Sequence, residues 1–415
     1  MLKDFFLLNY KNKKTVLLFF LFLFQMLGLR LFQGWGIILT SIIFLILSSS
    51  IKLTRQRCTI TLAFAFFAFI FQYLKGSSLN YCVLVSLYVI DACFMVYYIM
   101  NRDVKNDFIS ALKIFLIQSF LSVIVYIIVP KSLMWIPQTG GVHNLTFLYI
   151  FYYIPYTVFG VIPRLSGWAW EPGCMQMLIN LYIVFLVLDN SKPRDFFIPS
   201  VLLVLTGSSA GYAIYILILF IYFIRQNARK MISYIPIFIV LGYLLLPFLW
   251  SNISGKLSFG NDVDINTSGA IRIRDLYTGV EVVRRFPLLG IDTSDLANSR
   301  EYQIIEEHSI EKILGGVSDS WYAYFDYAAG GYTNGFFCMH MMWGILGIFL
   351  LISFVKCRLW TKWFKNKYSL LFPIVVLLTM ISSPISNTAF FLFFCFYNIL
   401  TYESRSSNIN NNSDL

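Results

Sequence analysis

Long apolar runs separated by short basic segments constrain this chain more than any other feature. A helix needs about 20 mainly apolar residues to cross a bilayer, and shorter runs suffice when neighbouring helices anchor them. Only 13% of the residues are charged and 58% are hydrophobic, which excludes an ordinary soluble domain. The sequence therefore predicts an all-α polytopic membrane protein with about 12 transmembrane helices. The candidate spans are roughly 15–33, 35–51, 58–74, 81–100, 108–129, 172–189, 196–207, 210–225, 231–250, 335–355, 369–384 and 387–402.

The positive charge follows the loops in a way that membrane topology explains. Lys11, Lys13 and Lys14 precede the first run, and later basic segments read KLTRQR, NRDVKND, SKPRD, RQNARK and KCRLWTKWFKNK. Because short cytoplasmic loops are enriched in Lys and Arg, these segments and both termini are predicted to be cytoplasmic. All of these basic segments fall on the cytoplasmic side only if residues 196–225 cross the membrane twice. The net charge of +11 is then a topological signal, and no nucleic-acid partner is expected.

This topology divides the chain into four parts. Residues 1–250 hold nine transmembrane helices and a medium external loop at 130–171, and residues 251–334 form a large external loop. Residues 335–402 hold the last three helices, and the Asn- and Ser-rich residues 403–415 form a disordered cytoplasmic tail. The large loop carries seven basic and twelve acidic side chains, which suits a translocated segment. Topology therefore does not explain its arginines.

The segment RIRDLYTGVEVVRRFPLLG, residues 272–290, lies in that large loop. Its apolar residues fall at helical spacing, and Pro287 disfavours helix at the residue before it, so we expect an amphipathic helix that ends there. Arg272 and Arg274 near the helix start would suit a phosphate group, since free N–H groups and a guanidinium fork both bind its oxygens. A solvated helix with ordinary ion pairs, such as Glu281 with Arg285, is an equally good interpretation.

Two further polar islands adjoin predicted spans. RLSGWAWEPG, residues 164–173, places Arg164 and Glu171 around two tryptophans, either as an interfacial aromatic belt or as a site for an anion and a proton. LTGSSAGY, residues 205–212, has the small residues that permit close helix packing, or a helix break that lines a cavity.

The end of the large loop and the next span hold the remaining candidates. Asn334 either caps a helix or contacts substrate, with capping favoured, and His340 is expected to be packed and neutral. His308 lies beside two glutamates and is the better titratable group. The rings of WYAYFDY, which begins at Trp321, could stack on sugars or pack in a core. Asp91 and Lys113, in neighbouring spans, could form an ion pair.

Taken in order, these motifs resemble those of the bacterial O-antigen polymerase family, within the O-antigen ligase and polymerase superfamily. The motifs are Arg-x-x-Gly-x-x-x-Glu-Pro-Gly at 164–173, Thr-x-Ser-Ser-x-Gly-Tyr at 206–212, an arginine-bearing external loop ending in FPLLG at 290, and Thr-Asn-Gly at 333–335 before Gly-Ile-Leu-Gly at 344–347. The motif match covers about residues 160–350, and the topology covers the whole chain.

The resemblance implies a GT-C-like glycosyltransferase of the bacterial cytoplasmic (inner) membrane, with its main loops external. Its substrate would be an oligosaccharide repeat linked to undecaprenyl pyrophosphate, and it would transfer the growing O-antigen or capsule chain to the next lipid-linked repeat. Arg164, Arg272 and Arg274 would stabilise the pyrophosphate leaving group, and Glu171 or His308 would take the acceptor proton. Arg285, Tyr277, Asn334 and Trp321 are candidate substrate-binding residues. A chain-length regulator and a flippase in the same bilayer would be partners.

Two other functions are weighed against this one. Ligases of the superfamily typically carry His-Asn at the start of the late span and a Glu shortly before its Gly, where this chain has Thr333-Asn334 and Met342. It also has Ser209-Ala210 where ligases often have Ser-Arg. These differences favour a polymerase over a ligase. A repeat-unit flippase or other transporter would be expected to show internal repeats and interrupted spans in both halves. The sequence shows neither, and a large external loop of 84 residues is unusual for a transporter. The sequence has no metal-ligand spacing and no nucleotide-binding motif, and its seven cysteines are scattered, so we expect no metal and no cofactor.

Overall fold

The structure is a computed structural model of the 415-residue chain. It describes residues 5–27, 35–48, 53–129, 134–137, 143–148, 150–158, 162–169, 171–225, 267–294, 302–305, 334–364, 368–381 and 388–412. The predicted span 231–250 and the candidate residues His308 and Trp321 lie outside these ranges.

Five helices form the first part of the fold: α1 Lys13–Leu27, α2 Trp35–Ser48, α3 Arg55–Leu74, α4 Leu79–Ile99 and α5 Lys105–Ile128. Within the described residues, α3, α4 and α5 are the helices long and apolar enough to cross a membrane. The hydroxyls of Thr54 and Ser78 cap α3 and α4 by accepting the N–H groups of Arg57 and Tyr81. The predicted mainly helical membrane fold is confirmed at this level.

The predicted medium loop contains a small antiparallel sheet with strand order β1-β2-β3-β4, which the sequence analysis did not predict. Its strands are β1 Met134–Pro137, β2 His143–Phe147, β3 Phe151–Val158 and β4 Ile162–Leu165. The β3–β4 register shifts between Ile154 and Thr157. The buried Tyr153 hydroxyl donates to the Ser122 carbonyl of α5. The sheet is thereby fixed to the end of a transmembrane helix.

Residues 196–225 form two helices and not one. After α6 Pro172–Leu188 and a 3₁₀ turn at Pro193–Phe196, α7 Phe197–Leu205 is followed by α8 Ser209–Arg225. Ser200 Oγ lies 2.6 Å from Tyr215 OH, and the Phe196 and Tyr222 rings are 5.0 Å apart. These pairs make α7 and α8 antiparallel, as the alternation of charge requires.

The last part of the fold is also helical. It comprises α9 Thr267–Arg285, α10 Gly335–Trp343, α11 Leu346–Val355, α12 Leu359–Trp363, α13 Leu371–Met380 and α14 Ala389–Asn412. The predicted single span 335–355 is therefore interrupted at Gly344, whose φ is +53°. Helix α14 continues to Asn412, beyond the point at which a disordered tail was predicted. Residues 403–412 contain no Gly or Pro that would stop a helix already begun.

The core is packed chiefly by aromatic rings from distant parts of the chain. Phe108 of α5 stacks on Trp363 with ring centroids 5.0 Å apart, and Trp360 lies 4.5 Å from Phe394 and 4.6 Å from Phe372. Because lipid tails are as apolar as these side chains, such packing, and not the hydrophobic effect, is what holds membrane helices together. Each close ring pair contributes about 0.5–1.5 kcal/mol beyond its buried area.

The charged residues Asp91 and Lys113 do not form the pair that their positions suggested. Asp91 is fully buried and accepts a hydrogen bond of 2.8 Å from Gln25 Nε2, which also donates to Ser41. Lys113 Nζ instead donates to the Leu7 carbonyl at 2.8 Å. An amide on α1 is thus the interhelical partner of the buried carboxyl group, a role that sequence spacing alone does not indicate.

Residues 5–12 run antiparallel along α5. The Lys11 and Asn12 N–H groups donate to Asp107 Oδ1 at 2.6 and 3.1 Å, and Ser110 Oγ donates to the Asn9 carbonyl at 3.1 Å. Further along α5, the Phe5 and Phe120 rings are 5.9 Å apart. The chain before α1 therefore lies against the side of α5 over several turns.

Candidate functional site

The turn between α7 and α8 is shaped by small and hydroxyl residues. Thr206 Oγ1 donates to the Leu203 carbonyl at 2.7 Å, and Gly207 takes a φ of +62°, a conformation that glycine adopts without strain. The Ser208 side chain then accepts the Gly211 N–H at 3.3 Å, and the Tyr212 hydroxyl donates to the Val204 carbonyl at 2.6 Å. The motif at 205–212 therefore builds a tight helical hairpin.

Arg164, at the end of β4, is held against this turn. Its Nε donates to the Thr206 carbonyl at 3.0 Å and its Nη2 donates to the Gly207 carbonyl at 3.2 Å. These carbonyls lie at the C-terminal end of α7, where a helix has no internal donors left and where a cation is favoured by the helix dipole. The guanidinium is thus half-buried and oriented by two backbone contacts.

The chain after Arg164 makes a close contact with α5. Gly167 has a φ of +55°, and a Cβ atom there would lie 2.5 Å from Ser119 Oγ and 2.8 Å from Gln118 Oε1. The Trp168 indole N–H donates to the Ile150 carbonyl at 2.9 Å. Only glycine therefore permits the approach that places Arg164 and Glu171 on either side of this turn.

Glu171 is the residue at the start of α6, and its backbone carbonyl accepts the Cys174 and Met175 N–H groups. Its carboxylate Oε1 accepts a weak contact from the Cys174 thiol at 3.7 Å. One turn along α6, Gln176 lies so close to Gly211 of α8 that a Cβ there would sit 2.9 Å from Gln176 Cβ and Oε1. Asn180 Nδ2 joins the two helices by donating to Gln176 Oε1 and to the Gly211 carbonyl.

These contacts define the Arg164 junction: Arg164, Gly167, Glu171, Gln176, Asn180 and the turn 206–211. It brings together two motifs that are far apart in sequence, at 164–173 and 206–212. The fully buried Gln176 Nε2 and Asn180 Oδ1 have no hydrogen-bond partner in the described part of the chain.

The close-packing interpretation of 205–212 is confirmed by the Gly211 contact. Gln176 and Asn180 were missed by the sequence analysis, although two amides one turn apart in an apolar helix were a visible signal.

A second junction forms where residues 286–294 meet the break between α10 and α11. The Ile345 N–H donates to the Leu288 carbonyl at 3.1 Å, and the Ile291 N–H donates to the Met341 carbonyl at 3.1 Å. A Cβ at Gly344 would lie 2.0 Å from the Leu288 carbonyl oxygen, and one at Gly290 would lie 2.3 Å from that of Met341. FPLLG and GILG therefore meet as two backbones in direct contact.

The linker between α3 and α4 closes this 286–294 junction from the other side. Lys75 Nζ donates to the Met341 carbonyl at 2.7 Å, the Met342 carbonyl at 2.9 Å and Gln72 Oε1 at 3.2 Å. Burial lowers the pKa of Lys75 to about 7, and the Asp292 carboxylate partly opposes this by favouring the charged form. Ser77 Oγ donates to Asp292 Oδ1 at 2.5 Å.

Helix α9 leads into this junction with an unexpected orientation. Its polar residues Asp275 and Thr278 are fully buried, whereas Leu276 and Val280 of the apolar stripe are about half exposed. Helix α9 packs against α10 with this polar face toward the protein. The predicted amphipathic helix is therefore present, and it ends at Arg285 before Pro287 as expected, but its apolar stripe faces outward.

The other predicted site residues have the following places. Arg285 Nε donates to Glu281 Oε1 at 2.9 Å, which confirms the predicted ion pair, and Arg284 contacts the same oxygen at 3.1 Å. Tyr277 is 49% exposed on α9. Asn334 caps α10, because its Oδ1 accepts the Phe336 and Phe337 N–H groups, as favoured from the sequence.

Arg272 and Arg274 lie on α9, but their side chains are outside the described part of the structure. His340 Nε2 lies 3.1 Å from the Phe286 carbonyl and is packed as expected. Of the described candidate residues, Arg164 and Glu171 lie at the Arg164 junction. Tyr277 and Arg285 lie on α9, and Asn334 lies at the start of α10. Among the described residues, no group of three or more His, Cys, Asp or Glu side chains is placed to hold a metal ion.

Comparison with known proteins identifies no relative: no family model, no curated protein and no solved structure matches this chain.

Proposed function

We propose that this protein is a polymerase of lipid-linked oligosaccharide repeat units, which acts at the outer face of a bacterial cytoplasmic membrane. It transfers a growing O-antigen or capsule glycan from undecaprenyl pyrophosphate to a hydroxyl of the next lipid-linked repeat. The proposal combines the resemblance of the motifs with a mainly helical, membrane-type fold.

The observation that carries the proposal is the pairing of the four motifs in space. Residues 164–173 meet 206–212 through Arg164, whose guanidinium holds the Thr206 and Gly207 carbonyls. Residues 286–290 meet 344–347 through backbone contacts that a Cβ would prevent. Motifs that are scattered over a membrane protein for unrelated reasons would not be expected to form pairs of contacts in this way.

The chemistry assigns the cations to the leaving group. The acceptor hydroxyl oxygen forms a bond to the anomeric carbon of the donor glycan, while the bond from that carbon to the pyrophosphate oxygen breaks. Undecaprenyl pyrophosphate leaves with the electron pair, and Arg164, Arg272 and Arg274 stabilise the developing charge. The hydroxyl proton passes to the carboxylate of Glu171 or to the imidazole of His308.

The position of Arg164 suits this role. A guanidinium whose orientation is fixed before substrate binds loses little freedom when it meets a phosphate. Glu171 lies seven residues further on, at the first turn of α6, and both flank the Gly167 turn. On the proposed topology this turn is at the outer membrane surface, where the pyrophosphate of a lipid-linked substrate resides.

The test is a gel of surface polysaccharide from a deletion strain that carries plasmid-borne variants. Deletion is expected to remove the ladder and leave one repeat attached, whereas loss of all attachment would indicate a ligase. Arg272→Ala and Arg274→Ala are expected to abolish long chains at normal protein level. Arg284→Gln is the matched control, since Arg284 lies on the same helix and is largely exposed. Normal ladders from both arginine variants would remove them from the site.

A second candidate, a repeat-unit transporter, is favoured by one observation. The predicted span 335–355 is interrupted at Gly344, whose φ is +53°. Interrupted helices surround the substrate site in many secondary transporters. Elongation by the purified protein in detergent separates the two functions, because a transporter makes no glycosidic bond.

A further inference from the structure

A cavity of about 480 Å³ opens between α5, α6, α7 and the segment before α1, away from both junctions. Its wall includes apolar residues at several depths: Phe5 of the segment before α1, Leu186 near the end of α6 and Ile198 in the first turn of α7. Phe5 and Ile198 are buried, and Leu186 is half-buried. Small-molecule sites commonly have this size, and here apolar and polar side chains share the lining.

The mouth of the cavity is basic. Lys192 and Arg194, in the loop between α6 and α7, are both exposed and both line it. The one carboxylate in the lining, Asp195, accepts the Lys192 N–H at 3.1 Å and lies 3.8 Å from Arg194 Nε. Nearby Asp189 is engaged by Lys105 of α5. Positive charge therefore remains in excess at the mouth.

The carbonyl end of α6 lies near the cavity and would repel negative charge. Arg225 covers it, because its guanidinium donates to the Val187 and Leu188 carbonyls.

A third cation lies deeper, on the side of a transmembrane helix. Lys113 of α5 is eight residues beyond Lys105, or about 12 Å along the helix. It is half-buried, lines the same cavity and donates to the Leu7 carbonyl. Its ammonium group therefore adds a third positive charge to the cavity lining.

We propose that this cavity binds an anionic phospholipid, with its phosphodiester among Lys113, Lys192 and Arg194 and an acyl chain along Phe5, Leu186 and Ile198. The basic mouth selects for negative charge, and the apolar wall selects for a lipid over a free anion. On the proposed topology the site faces the cytoplasmic leaflet, opposite the proposed catalytic side. The lipid site does not depend on the polymerase assignment.

The experiment measures lipid binding to the purified full-length protein by native mass spectrometry. The protein is delipidated in detergent and titrated with phosphatidylglycerol, with phosphatidylcholine, or with inorganic phosphate. The cavity variant K113Q/K192Q/R194Q is compared with R55Q/K356Q/R358Q, which removes three exposed cations elsewhere. A second variant, K192Q/R194Q, changes only exposed side chains and therefore should not perturb folding.

The wild type is expected to bind phosphatidylglycerol more tightly than phosphatidylcholine. Each cation near an anionic lipid raises the affinity about five- to tenfold. The triple cavity variant should therefore lose on the order of 100-fold in phosphatidylglycerol affinity, and the double variant roughly 10-fold or more. The control triple variant should bind as the wild type does. Equal phosphatidylglycerol affinity in the double variant and the wild type would overturn the proposal. Displacement of phosphatidylglycerol by millimolar inorganic phosphate would overturn it too, because the site would then be one for a free anion.

Discussion

Gly344→Ala should be one of the most destabilising single-methyl additions in this protein. Gly344 has a φ of +53°, and a Cβ there would lie 2.0 Å from the Leu288 carbonyl oxygen and 2.7 Å from the Leu288 and Leu289 carbonyl carbons. Its φ of +53° combined with a ψ of −139° lies in a region that alanine avoids, at a cost of about 1–3 kcal/mol. Backbone atoms cannot rotate away as a side chain does, so residues 288–289 must move by about 1 Å or more to restore ordinary contact distance.

That movement also breaks the hydrogen bond from the Ile345 N–H to the Leu288 carbonyl, now 3.1 Å long. Losing such a hydrogen bond costs about 0.5–1.5 kcal/mol. Together the two effects destabilise the fold by about 1.5–4.5 kcal/mol. The matched control is Gly76→Ala in the α3–α4 linker, where φ is +83° and a Cβ would meet nothing within 4 Å. It should cost only the conformational term, about 1–2 kcal/mol.

The assay is the apparent Tm of each purified variant in the same detergent, followed by tryptophan fluorescence. Gly344→Ala should unfold at a temperature lower than Gly76→Ala by about 1–3 °C, because in a chain of 415 residues each kcal/mol shifts Tm by only about 1 °C. The reasoning is refuted if the two variants unfold at the same temperature, because the 286–294 junction would then contribute nothing beyond glycine's conformational freedom.

Three further predictions concern the two junctions. Arg164→Gln removes two charge-assisted hydrogen bonds to carbonyls, so it should lower the free energy of unfolding by about 2–3 kcal/mol and speed hydrogen exchange at the α7–α8 turn. Unchanged exchange would show that the turn does not need these bonds. Gly211→Ala should cost about 1–3 kcal/mol in thermal unfolding, because its Cβ would displace Gln176, and a Tm equal to the wild type would contradict the packing. Burial lowers the pKa of Lys75 to about 7 in the folded state, from 10.5. Between these two pH values the unfolded chain holds a proton that the folded chain has lost, so the free energy of unfolding should rise with pH. The slope approaches about 1.4 kcal/mol per pH unit, and Lys75→Met should flatten it; an equal slope in both proteins would disprove the effect.

Features with a local signal in the sequence were the ones that could be predicted. The long apolar helices follow from composition, and the break between the two helices of 196–225 lies at the small residues Gly207-Ser208-Ser209. The cap at Asn334 and the end of α9 before Pro287 need only neighbouring residues. Each of these depends on fewer than about 20 consecutive residues, within the range over which helix and cap preferences act.

The contacts that build the two junctions could not be found in this way. Lys75 and Met341 are 266 positions apart, and nothing near either residue indicates the other. The burial of Asp275 on the polar face of α9 was missed for a related reason. In a membrane protein an apolar stripe can face lipid, so hydrophobic periodicity identifies the helix without saying which side meets the protein. The small sheet at 134–165 has strands of only four to eight residues, too short for a clear alternating pattern.

Glycan elongation in a purified system decides whether this protein is a polymerase. The protein in detergent is mixed with a synthetic undecaprenyl-pyrophosphate-linked repeat, and products are separated by chain length. The account predicts a ladder of lengthening glycan with release of undecaprenyl pyrophosphate in proportion to the bonds formed. It also predicts loss of the ladder in Arg272→Ala and Arg274→Ala but not in Arg284→Gln. Intact protein that binds the lipid-linked repeat and forms no longer product would contradict the account.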